Sequence, residues 1–268
     1  MFEKSRAATS ASESAANPTL GIQFSKVPRV ILTFWIIKIL CTTLGETAGD
    51  AVTMSMKLGY LVGTLIFASI FLVAVVVQVY AKRFHPLIYW TTIVATTTVG
   101  TTLADFADRS LGVGYLGGSL TLIALLVASL ATWYWSVGTV SVNTVSTPKI
   151  EVFYWVTIMF SQTLGTALGD WTADSAGLGY RGAAIIFSGF LLIVAACHFW
   201  TRISKTVLFW LAFVLTRPLG AVVGDFLDKP LAQGGLNLSR YSASAALIVL
   251  VIGCILVFPQ QAAEQAKH

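Results

Sequence analysis

The chain has 268 residues, 56% hydrophobic and 11% charged, with a net charge of +5 and a mean hydropathy of +0.79. A soluble domain cannot bury so large an apolar fraction, so the class is integral membrane protein. The positive balance does not point to nucleic acid, because most basic residues fall in short connections between apolar runs, where membrane topology places them.

In chain order, residues 1–28 are polar, rich in Ala and Ser, and lack the apolar core of a signal peptide. They read as a disordered cytoplasmic tail. Predicted transmembrane helices follow at 29–52, 58–81, 87–108 and 113–136. A polar linker covers 137–149, then helices are predicted at 150–172, 179–200, 206–227 and 240–258, with a cytoplasmic tail over 259–268. The fold class is therefore all-α and polytopic, with repeats 1 and 2 in 29–136 and repeats 3 and 4 in 150–258. Cys41, Cys197 and Cys254 lie in apolar runs without metal-ligand spacing and read as packing residues.

The helices come in four copies of one pattern. Trp35, Trp90, Trp155 and Trp210 each follow an aromatic residue. Ten residues after each Trp stands Gly45, Gly100, Gly165 or Gly220, and five further on Asp50, Asp105, Asp170 or Asp225. W-x9-G-x4-D without a gap in four copies is an internal repeat. A second apolar run opens at Tyr60, Tyr115 and Tyr180 and ends at Tyr80, Trp135 and Trp200, one bilayer core later. Each repeat thus reads as a hairpin of two transmembrane helices. Two crossings return the chain to its starting side, so the symmetry is a parallel pseudo-fourfold about the membrane normal. Basic residues favour the side of the termini ten to five, which places both termini in the cytoplasm.

Eight of the 12 acids lie in the repeat motif: Glu46, Asp50, Asp105, Asp108, Asp170, Asp174, Asp225 and Asp228. At about 100° per residue, the Trp, the residues 7 and 11 beyond it and the shared Asp fall on one face of each odd helix. Position 7 holds Thr42, Thr97, Gln162 and Arg217; position 11 holds Glu46, Thr101, Thr166 and Ala221. A polar stripe on an apolar helix faces the bundle interior or a water-filled cavity. Four stripes converge on an acidic vestibule lined by up to eight carboxylates, a setting for a hard divalent cation with oxygen ligands, in competition with protons. The bland alternatives are that Asp108, Asp174 and Asp228 are interfacial or capping residues and that the glycines serve helix packing. The four Trp read first as interfacial anchors and second as a gate. Arg217, beside a kinking Pro218, requires an acidic partner: Asp225 or an acid of a neighbouring helix.

The Trp–Gly–Asp register resembles a family of bacterial membrane proteins built from four tandem copies of a two-helix repeat of unknown function. The resemblance covers about residues 30–258 and implies the architecture and a bacterial inner-membrane location, and no activity. Glu46, Gly49 and Asp50 are similar, more weakly, to the acidic E-x-G-D-K/R-S/T motif of calcium/manganese cation–proton exchangers, from which Ala51 and Val52 depart. No catalytic motif occurs, so an enzyme is not expected. The preferred reading is a secondary transporter of a divalent metal, Mn²⁺ foremost, coupled to protons. Its partners are the lipid bilayer, the cation and protons, with no nucleic acid and no tightly bound cofactor; the repeat sets no oligomeric state. A channel or carrier for another cationic substrate and a non-transporting scaffold or sensor are the alternatives.

Overall fold

Alternation of polar-striped and uniformly apolar segments sorts the helices into two shells. The computed structural model describes residues 24–264. Its helices are α1 Leu32–Asp50, α2 Tyr60–Tyr80, α3 Pro86–Asp105, α4 Tyr115–Val137, α5 Pro148–Asp170, α6 Gly179–Trp200, α7 Lys205–Asp228 and α8 Arg240–Val257. The odd helices close a ring, α1 on α3, α3 on α5, α5 on α7 and α7 on α1. The even helices stand outside it and turn Leu65, Leu72, Ile185, Leu192 and Val249 outward. Five helices, α2, α4, α6, α7 and α8, are long and apolar enough to cross a membrane. The other three, of 19, 20 and 23 residues, carry the Thr- and acid-rich stripes and turn them into the ring. The protein is an all-α, polytopic membrane protein.

The shared glycines explain how the ring closes. Gly45 faces Thr97, Gly100 faces Gln162, Gly165 faces Arg217 and Gly220 faces Thr42, and none leaves room for a Cβ. Each is the glycine at position 10 of one repeat against the residue at position 7 of the next. Without a side chain the backbones approach closely, which is the main source of helix association where lipid removes the hydrophobic drive.

The expected hairpin is a unit of connectivity and not of packing. The outer helix α2 packs on α3, α4 on α5, α6 on α7, and α8 returns to α1. Every repeat therefore hands its second helix to its neighbour, and the ring runs across the linker without a seam between halves. In the first three copies a single π-helical turn follows the shared Asp, at Ala51–Ser55, Phe106–Ser110 and Trp171–Ser175. Gly59 and Gly114 then start α2 and α4 with φ of 77° and 74°, a conformation that favours glycine. The fourth copy has no π turn; Lys229 and Pro230 end its ring helix.

Two expectations are corrected at the end of the ring that carries the Trp residues. Residues 24–28 are not a disordered tail: strand β1, Phe24–Pro28, pairs antiparallel with β2, Ala262–Glu264. Ser25 donates hydrogen bonds to the carbonyls of Val142 and Val145, which makes the linker a structured cover. Residues 1–23 and 265–268 of the predicted tails lie outside the described residues. The four Trp are not a lipid-facing belt either. Phe34 packs on Trp90, Tyr89 on Trp155, Tyr154 on Trp210 and Phe209 on Trp35, a closed circuit of eight aromatics. Trp90, Trp155 and Trp210 are buried and Trp35 is half-buried. The exposed rim aromatics are instead Tyr80, Trp135 and Trp200, at the ends of outer helices.

Candidate functional site

At the opposite end of the ring the stripes meet. Glu46, Asp50, Asp105, Asp170 and Asp225 are all buried, the most exposed at 3%. They do not line an open vestibule. Four basic side chains lie among them.

Arg109 pairs with Asp105 one turn behind it (2.9 Å) and with Asp170 of the next repeat (3.1 Å). Lys229 pairs with Asp225 one turn behind it and with Asp50 of the first repeat, both at 2.9 Å. The four shared carboxylates thus form two bridged pairs, and the fourfold sequence pattern becomes twofold in its charges. Arg240, the first residue of α8, adds Asp228 at 3.1 Å and Asp50 at 3.6 Å. Its position follows from the handing-on of α8 to α1. Burial alone would lower the Lys229 ammonium pKa, but Asp225, Asp50 and Asp228 outweigh it and raise the pKa, so the residue stays charged.

A turn deeper, Arg217 reaches across the ring. Its Nη2 donates to Glu46 Oε2 (2.9 Å), Thr101 Oγ1 (2.6 Å) and Thr166 Oγ1. These are the position-11 residues of the other three repeats. Ala221 stands at that position in the fourth, on the helix that carries Arg217 itself. Of the two partners expected for Arg217, the acid of a neighbouring helix is the one found.

The family model for the Repeat of Unknown Function (DUF347) matches residues 33–84, 88–139, 153–204 and 208–258. The chain belongs to this family. Comparison with curated proteins and with solved structures gives no match. Each DUF347 copy spans one ring helix and the outer helix after it, so the site is assembled from all four copies.

Two groups of carboxylates come close enough to share one ion. An oxygen each from Glu46, Asp170 and Asp225 lie within 4.8 Å of one another, and so do oxygens of Asp50, Asp225 and Asp228. Asp225 belongs to both. Asp105 joins neither and stays with Arg109. Asp108 packs toward Gly118 at the start of α4, and Asp174 is exposed. At position 7, the Thr42 and Thr97 hydroxyls donate to the carbonyls of Ile39 and Val94 within their own helices. Gln162 is fully buried.

Sequence reasoning found Arg217 and missed the other three bases, Arg109, Lys229 and Arg240. Arg109 and Lys229 each lie four residues past the shared Asp, a visible salt-bridge spacing. Met54 and Asp174 hold that place in the other two DUF347 copies, so the alternation was legible. Lys38 was also missed, although a lysine inside WIIKIL, in a run that is otherwise apolar, is a signal by itself.

Proposed function

We propose that this protein is a secondary transporter of a divalent metal cation, Mn²⁺ foremost, coupled to protons, in the bacterial inner membrane with both termini cytoplasmic. One observation carries the reading: buried carboxylates from three different ring helices, Glu46, Asp170 and Asp225, lie within 4.8 Å of one another. Ligands of a hard cation sit about 2.0–2.6 Å from it, so oxygens of one ion are at most about 5 Å apart. Charge balance agrees. Asp50, Asp105, Asp170, Asp225 and Asp228 face three bases, Arg109, Lys229 and Arg240, while Glu46 is answered by Arg217. The excess is two negative charges. A divalent cation neutralises it, and so do two protons, so the two compete for one place. The resident bases supply a third occupant, holding the carboxylates together when metal leaves.

The scaffold reading has its own observation, that every shared carboxylate already has a basic partner. Mn²⁺ uptake into proteoliposomes separates the two. Asp225→Asn should abolish metal flux and the metal-dependent rise in Tm, while Asp174→Asn, exposed and in neither carboxylate group, should leave both as in wild type. Absence of any metal-dependent Tm rise in the wild type would sink the transporter reading, since a ligand of the native state must stabilise it.

A further inference from the structure

One turn deeper than Arg217 the ring holds a buried lysine that the carboxylates do not answer. Lys38, three residues past Trp35, shares its register with Ile93, Ile158 and Phe213, and all four are fully buried. Its Nζ lies 3.7 Å from the centroid of the Phe213 ring on α7. It has no hydrogen-bond partner among the described residues. Arg217 stands on the same helix as Phe213, one turn from it toward the carboxylates. Its Nε and Nη1 are unpartnered, although Nη2 is engaged three times. Gln162, level with Arg217 on α5, is fully buried with both amide atoms unpartnered. On the other side, the indole N–H groups of Trp90 and Trp155 in the aromatic circuit are unpartnered too.

These free atoms are mostly donors. Glu46 already answers Arg217, which leaves Lys38 without a counterion. The shared Asp residues lie twelve positions further along the helices, about 18 Å away, with Arg217 between. A buried cation is costly unless it is paired, and unmet buried donors add to that cost. A single anion meets both demands.

We infer that Lys38, together with the unpartnered donors of Arg217 and Gln162, binds a small monovalent anion of the halide class. The ammonium that such an anion would pair with carries one positive charge, which sets the valence. The cation–π face of Phe213 holds the ammonium on one side and leaves its other protons for the anion. This ligand is opposite in sign to the transported cation and binds at a different level, so the inference stands independently of metal transport.

The test uses the purified full chain in detergent, with chloride or bromide titrated against gluconate at constant ionic strength. Wild type should show a saturable rise in Tm with either halide. Lys38→Met should abolish the rise, and Lys57→Met, exposed at the carboxylate end, should retain it. Chloride NMR line broadening by the wild-type protein, reversed by excess bromide, reads the same site without a variant. A wild type with neither a halide-dependent Tm nor line broadening overturns the inference, because the amine is then neutral or hydrated. So does a Lys38→Met protein that keeps the full halide response.

Discussion

Arg217 and Glu46 illustrate what a charged residue in the membrane interior requires. The guanidinium is fully buried and Glu46 is 3% exposed, and the pair is completed by two Thr hydroxyls from two further helices. Removing one partner from such a pair leaves an uncompensated charge and costs about 3–5 kcal/mol, whereas removing both is far cheaper. Arg217→Met should therefore lower Tm sharply, and adding Glu46→Gln should recover most of the loss. A double variant no more stable than Arg217→Met alone would show that the pair is not the stabilising contact. Lys229 belongs to the same scale. Lys229→Gln leaves Asp50 and Asp225 repelling one another, so Mn²⁺ should raise its Tm by more than it raises that of the wild type. An equal or smaller rise would mean that this lysine and the metal do not compete.

Among the elements, the ring helices are held by close backbone approach. A Cβ on Gly100 would press on the backbone of Gln162 and Thr163, and one on Gly45 would overlap Thr97. Bulk there must push two ring helices apart. Gly100→Leu should abolish recovery of monodisperse protein or lower Tm steeply. On outer helix α8, a Cβ added at Gly253 would meet nothing within 4 Å. Gly253→Ala should therefore leave Tm unchanged or raise it, by up to about 1 kcal/mol of helix propensity. Equal damage from both changes would refute the distinction between ring and outer shell. The roles of Gly45, Gly100, Gly165 and Gly220 were legible because helix contact is a local, periodic demand on residue size. The strand β1 was not, since Phe24–Pro28 becomes a strand only through pairing with residues more than two hundred positions away.

For the whole molecule, closure depends on the last helix meeting the first. Ser244 Oγ on α8 donates to Thr47 Oγ1 on α1 at 2.9 Å, a separation compatible with a disulfide between those positions. With Cys41, Cys197 and Cys254 changed to Ala, the Thr47→Cys, Ser244→Cys double variant should oxidise to an intramolecular crosslink that joins the first and fourth repeats. Failure to crosslink, or crosslinks only between molecules, would refute the handing-on of each outer helix to the next ring helix.

The sequence by itself determined the repeat, the helices to within a few residues and the inward stripe. Each depends on local periodicity: an amphipathic face, a bilayer-length apolar run, a glycine where helices touch. It also brought the buried carboxylates to one end, because Asp50, Asp105, Asp170 and Asp225 share one register. Only the tertiary structure decided which charges meet. Arg109 could be matched to Asp105 by spacing, but its hold on Asp170, like that of Lys229 on Asp50 and of Arg217 on Glu46, depends on which helices are neighbours around the ring. Those pairings join residues from different repeats, and electrostatics in a low-dielectric interior is set by distance in space, which a linear register does not contain.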